Sequence, residues 1–369
     1  MLSKTMDQKT FTFLSILIGL LLVQVQSFAP INNYNSKIMY TKLFRNSMNK
    51  KMFVHSSDNL ESSSNMPTRK EFLVTSGVLS TILNQPVFAQ EDTPSNISGS
   101  KFTGPITIIG SNGKTGSECV GACLSRSIPV RATTRSGVYS GLYAADETNS
   151  LLSMMPCDVT LPDTIPAAVE GSRAVIFAAS ASKQGGTPNA VDNEGLVNVA
   201  KACIAAKVPS LVIVSSGAVT KPDSPVYKFL NLFGKIMEEK IKGEDSVRKL
   251  YQGCDSSCTY TIIRPGGLTE EEGKGVLALE LNQGDTKSGR IARTDVASLC
   301  VESTIYPQLT GATTFECYDA DTGKPLATVG MSNIMKAKNK ADDVVFTSGK
   351  ERKGQTWEEL FTGLEKDVL

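Results

Sequence analysis

Residues Pro105-Ile106-Thr107-Ile108-Ile109-Gly110-Ser111-Asn112-Gly113-Lys114-Thr115-Gly116 join an apolar run to a glycine-spaced turn, and Ser117–Ser125 continue as a helical stretch. Glycines let the backbone turn tightly and come close to a pyrophosphate. The helix N-terminus after the turn offers free N–H groups and a positive dipole end to an anion. Gly110, Asn112, Gly113 and Gly116 are therefore candidates to hold a pyrophosphate, with Lys114 and Thr115 opening the helix beside them. The same glycines also fit an ordinary strand-to-helix turn, so their meaning depends on the rest of the chain.

Beyond the turn, strands and helices alternate. Apolar strand patterns cover Val130–Thr134, Met154–Val159, Ala174–Ala179, Leu211–Ser215 and Tyr260–Arg264, and Thr313–Tyr318 reads as an edge strand. Helical patterns lie between them. Val191, Leu196, Val199, Ala200, Cys203 and Ile204 share one apolar face, and Lys235–Tyr251 is charged and amphipathic. Continuous apolar strands separated by helices imply a parallel sheet covered on both faces. With a glycine turn after the first strand, the expected fold is α/β, a doubly wound parallel sheet of the Rossmann type, in one domain over residues 101–369.

The first 100 residues read as targeting sequence. Lys4 and Lys9 precede an apolar run from Phe11 to Val23, and Val25 and Ser27 suit a signal-peptidase site, giving a signal peptide over 1–27. Phe28-Ala29-Pro30 comes directly after it, which resembles the bipartite plastid address of algae with secondary plastids. Residues 28–66 are rich in Ser, Asn, Met and Lys and poor in acids, as in a transit peptide. In 67–100, Thr68-Arg69-Lys70-Glu71-Phe72-Leu73, an apolar run and Val87-Phe88-Ala89 resemble a twin-arginine-type thylakoid signal with Lys70 in place of the second Arg. An amphipathic part of the transit peptide is the other reading, so stroma and lumen both remain open.

Composition removes several function classes. The formal net charge of +1 indicates no nucleic-acid partner. The single histidine is His55, inside the transit region, so the mature domain has none. That excludes a Ser-His-Asp or Cys-His hydrolase and histidine-ligated zinc, and no paired Cys-x-x-Cys suggests another metal site. Most of the eight cysteines sit in apolar contexts and read as small buried side chains. Cys254 and Cys258 flank a loop and could pair in an oxidising compartment.

In a doubly wound fold an acid at the end of the second strand selects NAD by binding the ribose 2′-hydroxyl. Here that strand ends Thr133-Thr134-Arg135-Ser136, without an acid. Arg135 suits a 2′-phosphate, and Lys114 is a second cation, so NADP(H) is the expected cofactor. Arg135 could equally be a solvated strand-end cation. Asp158 and Val159, after the third strand, are placed to read adenine. Ala178 and Ala179, after the fourth, let the backbone lie near the ribose.

Gly110–Gly116, Cys157-Asp158-Val159-Thr160, Val191-Asp192-Asn193-Glu194-Gly195, Val214-Ser215-Ser216 and Tyr260-Thr261-Ile262-Ile263-Arg264-Pro265-Gly266-Gly267-Leu268 occur in that order. Together, over roughly residues 104–320, they resemble the atypical short-chain dehydrogenase/reductase family, in its NAD(P)H-binding branch with NmrA-like and flavin reductase-like members. The resemblance implies a serine after strand five and a Tyr-x-x-x-Lys on the next helix, the Tyr donating a proton and the Lys lowering its pKa and holding the ribose. Ser215 or Ser216 fills the serine position and Lys240 the lysine position, with Lys240 and Pro265 lining the nicotinamide side. The tyrosine position is then Ile236, which transfers no proton, and Tyr227 is not followed by a lysine four residues on.

The expected function is therefore an NADP(H)-binding plastid oxidoreductase, with Ser215 and Lys240 as candidate catalytic residues and a flavin or quinone as an acceptor that needs no tyrosine donor. The competing expectation is a non-catalytic NADPH-sensing scaffold for a thylakoid or envelope protein complex. A sugar-nucleotide epimerase is disfavoured by the missing tyrosine and the short C-terminal region. Asp295 reads as a helix-start residue, and Trp357–Phe361 as the start of an acidic helix covering the domain.

Overall fold

A computed structural model of the chain describes residues 103–144, 150–182, 185–232, 234–254, 257–326 and 347–368. The targeting segments expected over 1–100 lie outside the described residues. The central sheet runs from β1 (Ile106–Ile109) through β2 (Val130–Thr134), β3 (Leu152–Pro156), β4 (Ala174–Phe177), β5 (Ser210–Val214) and β6 (Thr259–Pro265). After the short β7 (Gly267–Thr269) come β8 (Leu279–Asn282), β9 (Lys287–Ser288), β10 (Arg290–Ala292), β11 (Thr313–Asp319) and β12 (Lys324–Pro325). The eight-stranded sheet has the order β3-β2-β1-β4-β5-β6-β11-β8, and every pairing is parallel except β11 with β8. Strand order reverses at β1, between β2 and β4, which is where a doubly wound sheet opens a crevice for a ligand.

The helices are α1 (Lys114–Ser125), α2 (Ile165–Val169), α3 (Leu196–Ala205), α4 (Pro225–Asn231), α5 (Ile236–Gln252), α6 (Arg293–Ile305), α7 (Pro307–Thr310) and α8 (Trp357–Phe361). Side chains on a strand alternate between faces, so a sheet covered on both sides needs apolar residues at every position. The two cores show this directly. Ile106, Ile108, Val130, Ala132, Ile176, Val212, Ile263 and Phe315 pack under α1, α6 and α8. Ile109, Val175, Phe177, Leu211, Ile213 and Ile262 pack under α2, α3 and α5. Between these strand positions, buried Thr107 bonds the Ala168 carbonyl and Ser172.

Two expectations change. Thr313–Tyr318 is not an edge strand: β11 lies between β6 and β8. β8 is hard to see in the sequence because it has only four residues and joins antiparallel, without a crossover helix to announce it. Its outer edge is closed by backbone hydrogen bonds between Leu281 and Arg352 at 2.8 and 2.9 Å. β3 begins two residues earlier than expected and stops at Pro156, because Asp158 turns the chain by accepting from Thr160 N–H and Oγ1. The sequence 189–195 is one π-helical turn leading into α3. Cys254 and Cys258 form a disulfide with Cα atoms 6.4 Å apart. α8 is short, and its Leu360 and Phe361 are buried in the core, as a covering element would be.

Candidate functional site

The site is assembled from the carboxyl ends of the parallel strands. Gly110 leaves β1 with φ +86°, a left-handed conformation that favours glycine, and a Cβ there would stand 2.9 Å from the Ala179 backbone. Gly113 N–H donates to the Gly110 carbonyl at 2.9 Å, and Gly113 caps α1 with no side-chain hydrogen bond. The first turn of α1, with Lys114 and half-buried Thr115, therefore offers N–H groups that no side-chain cap covers. A Cβ on Gly113 would approach the Gly110 carbonyl oxygen to 3.1 Å, and one on Gly116 would collide with that same oxygen. This shape, a bare cradle before an open helix end, fits a pyrophosphate.

Asn112 has a different place from the one its position in the turn suggested. Its side chain donates to the Val138 carbonyl and accepts from Ser140 N–H, at 3.0 and 2.8 Å. It ties down the loop after β2 and so shapes the cradle from outside. Arg135 is exposed where β2 ends. Lys114 Nζ is engaged elsewhere: it pairs at 2.8 Å with Glu270, which follows β7. Asp158 and Val159 follow β3. Asp158 binds Thr160, while the Val159 side chain is buried in the core. Ala178 continues the ladder through its N–H to the Ile109 carbonyl at 3.0 Å, and Ala179 abuts Gly110.

The ends of β4, β5 and β6 meet α5 in a set of buried charges. Lys240 Nζ lies 2.8 Å from Asp192 Oδ1, which Ser180 Oγ also reaches at 2.7 Å; Ala181 N–H donates to the other carboxylate oxygen. One helical turn on, Glu244 is fully buried. It accepts from the Ser215 hydroxyl, from Arg248 at 3.0 Å and from Arg264 at 2.6 Å. Burial pushes the Glu244 carboxyl up, but the Arg264 and Arg248 guanidiniums outweigh it and hold the group below the usual carboxylate range. Arg264 also reaches Glu316 at 3.3 Å, and burial with the neighbouring Asp285 carboxylate drives Glu316 up to about 8. A small void lies between Phe177, Asp192, Ser215, Lys240 and Glu244.

Ser215 and Lys240 thus come together, as the sequence suggested. The Pro265 carbonyl accepts from Gly217 N–H at 2.9 Å, two residues after Ser215. The proton chemistry differs. Ser215 gives its hydroxyl hydrogen to Glu244. Ile236 packs with Tyr227, Ala218, Val219 and Met237 in a small apolar cluster. Tyr227 has Glu238 and Lys242 as its charged neighbours.

The sequence alone assigns no role to Asp192, Glu244, Arg248, Glu270 or Arg293. Two signals are nonetheless present in it. Lys240, Glu244 and Arg248 are spaced i, i+4, i+8, one stripe of a helix that must pack on a sheet. Arg264 interrupts an apolar strand, and a cation there requires a buried counter-charge. Asp192 lies in the π turn, which no apolar periodicity announces.

The family model for NAD(P)H-binding matches residues 110–307. An uncharacterized chloroplastic protein of Arabidopsis thaliana is 31% identical over 210 residues, spanning 54% of this chain and 72% of its own. A second chloroplastic Arabidopsis protein, also uncharacterized, is 28% identical over 232 residues, spanning 56% and 68%. The crystal structure of the oxidoreductase ylbE from Lactococcus lactis superposes with a TM-score of 0.47 at 19% identity, covering 64% of this chain and all of that one. The chain belongs to the NAD(P)H-binding family.

Proposed function

We propose that the chain is a plastid NADP(H)-dependent oxidoreductase whose acceptor takes its proton from solvent, a flavin or a quinone. The reading is supported above all by the absence, among the described residues, of a proton donor where carbonyl chemistry needs one. Ile236 stands at the tyrosine position, Ser215 donates to Glu244, Tyr227 packs in the apolar cluster with Ile236, and the only histidine in the sequence is His55. The bound dinucleotide would supply a hydride. Gly110, Gly113, Thr115 and Gly116 would hold its pyrophosphate, with Asn112 bracing their turn. Asp158, Val159, Ala178 and Ala179 would border the adenosine half, and Lys240 and Pro265 the nicotinamide half. The preference for NADP(H) rests on Arg135 and the missing acid at the end of β2, since Lys114 is engaged by Glu270.

The plastid location is supported by the signal and transit patterns of residues 1–66 and by the chloroplastic relatives. The missing donor also favours a second reading, an NADPH-sensing scaffold without turnover. One experiment separates the three cases. The protein is supplied with NADPH and either a panel of ketones and aldehydes or flavin and quinone acceptors. Oxidation of NADPH with the second set alone is expected. Fast carbonyl reduction would overturn the proposal, and tight NADPH binding with no acceptor turned over would favour the scaffold. Ile236→Tyr should restore carbonyl reduction if only the donor is lacking, because a general acid contributes roughly 10²–10⁴-fold.

A further inference from the structure

Two cations converge on one carboxylate oxygen at the mouth of the glycine cradle. Glu270 Oε1 lies 2.8 Å from Lys114 Nζ and 2.6 Å from Arg293 NH1. Lys114 is the first residue of α1 and Arg293 the first of α6, helices that pack closely side by side, so two helix N-termini face the same place. Lys114 and Glu270 are 72% and 62% exposed, whereas Arg293 is 19% exposed and its guanidinium is further placed by the Thr269 carbonyl at 3.4 Å. Arg293 is therefore the fixed member and Glu270 the mobile, solvated one. The loop carrying Glu270 is attached at its far end: Asp295, in the first turn of α6, accepts from Lys274 and Gly275 N–H at 2.7 and 3.0 Å. Gly275, at φ +78° with nothing near its missing Cβ, sits at that attachment.

A carboxylate held by two cations beside open helix N–H groups has the chemistry of a phosphate oxygen in such a setting. We propose that Lys114 and Arg293 form a phosphate-recognition pair, and that Glu270 is an internal counter-ion which a phosphate-bearing ligand displaces. Arg293 thereby becomes a ligand-binding residue, and the Glu270–Gly275 loop moves when the ligand enters. The phosphate has two sources: the pyrophosphate of the dinucleotide, or the phosphate of a second ligand beside it. The inference rests on the reading of the glycine turn as a dinucleotide site, and the two fail under different outcomes of one titration series.

NADPH is titrated against full-length wild type, Glu270→Gln, Arg293→Gln, Arg293→Lys and Gly113→Val, at low and moderate salt. FMN and riboflavin are then titrated against the NADPH-saturated proteins. If the phosphate is the dinucleotide's, Glu270→Gln binds NADPH roughly two- to five-fold more tightly, the size of a competing exposed ion pair. Arg293→Gln then weakens binding by about ten-fold, as for a lost charge-assisted hydrogen bond, and Arg293→Lys recovers part of it. If the phosphate belongs to a second ligand, NADPH affinity is unchanged, and the same ordering appears for FMN but not for riboflavin. A gain of affinity in Glu270→Gln cannot come from misfolding. Unchanged affinities for NADPH and FMN in both Glu270→Gln and Arg293→Gln, with Gly113→Val still abolishing binding, would overturn this inference and leave the glycine-turn reading standing. Wild type that binds no dinucleotide, or Gly113→Val that binds as wild type does, would overturn both.

Discussion

The two halves of the candidate site are built from different materials. Around β1 and β2 the cradle is backbone: glycines, uncapped helix N–H groups, and exposed Lys114 and Arg135 at its rim. Around β5, β6 and α5 it is buried charge: Lys240 with Asp192, and Glu244 with Ser215, Arg248 and Arg264. Backbone recognition tolerates change in nearby side chains, and exposed charges contribute little to stability. Buried charges each need a partner, so the second half constrains both the fold and the chemistry. Its Ser215 hydroxyl turns its proton inward, toward Glu244.

The largest effect is expected in the backbone half. Gly113→Val puts a branched side chain where the cradle must stay open, beside the Gly110 carbonyl oxygen. Nucleotide binding should be lost while far-UV circular dichroism stays that of wild type. Normal binding by a folded mutant would show that the turn is not the phosphate site.

Deleting one cation in each half gives the next contrast. Arg264→Met leaves Glu244 with Arg248 alone and strips Glu316 of its guanidinium. Breaking a buried pair this way typically costs about 3–5 kcal/mol. Lys114→Met removes an exposed, solvent-screened pair and should cost far less. Denaturant unfolding of both mutants measures the gap, and equal losses would refute the division between the two halves.

Glu316 should contribute a pH effect. Burial and the Asp285 carboxylate raise it from the ordinary 4.5 to about 8, with Arg264 and the Asp285 N–H opposing them. The folded protein therefore holds this proton more tightly than the unfolded chain. Its contribution is fully present below pH 4.5 and is lost as pH rises toward 8. The slope contributed is at most about 1.4 kcal/mol per pH unit. Glu316→Gln, which keeps a neutral side chain at every pH, should flatten the fall of unfolding free energy between about pH 5 and 8. A mutant with an unchanged slope would place the proton elsewhere.

The same division explains how much is legible in the sequence. The backbone half is legible because the glycine turn joins an apolar strand to a helix in a chain whose apolar strands and helices alternate, and that alternation implies a parallel sheet. Ser215 and Lys240 are singled out in the sequence by a resemblance, and in the structure both line one small void. Their partners are not legible. Asp192 reaches Lys240 only because a π turn rotates it inward, and Glu244 reaches Arg264 across twenty residues of chain. Shared positive charge suggests that Lys114 and Arg135 act together. The actual partner of Lys114, Glu270, comes from a loop whose path depends on β7 and α6. β8 is hidden because four residues joining antiparallel leave no periodic trace.

The smallest effect concerns the loop after Ser215. Asp285 is fully buried and receives three hydrogen bonds from it: Ala218 N–H at 2.6 Å, Thr220 N–H at 2.9 Å and Thr220 Oγ1 at 2.8 Å. Gly217 is held from the other side by the Pro265 carbonyl. Between these anchors Ala218 is forced to φ +69°, a left-handed conformation that costs an alanine roughly 1–2 kcal/mol. Ala218→Gly removes that cost but lets the unfolded chain gain entropy worth about 0.5–1 kcal/mol. The net should be a gain in stability of no more than about 1 kcal/mol, seen as a higher denaturation midpoint at unchanged slope. If the strain serves only to place the Ser215 loop, the looser glycine should also weaken binding on the nicotinamide side while leaving adenosine 2′,5′-bisphosphate binding as it was. A mutant less stable than wild type would show that the alanine methyl, which packs with Val219, Met237 and Leu326, matters more than the backbone it strains.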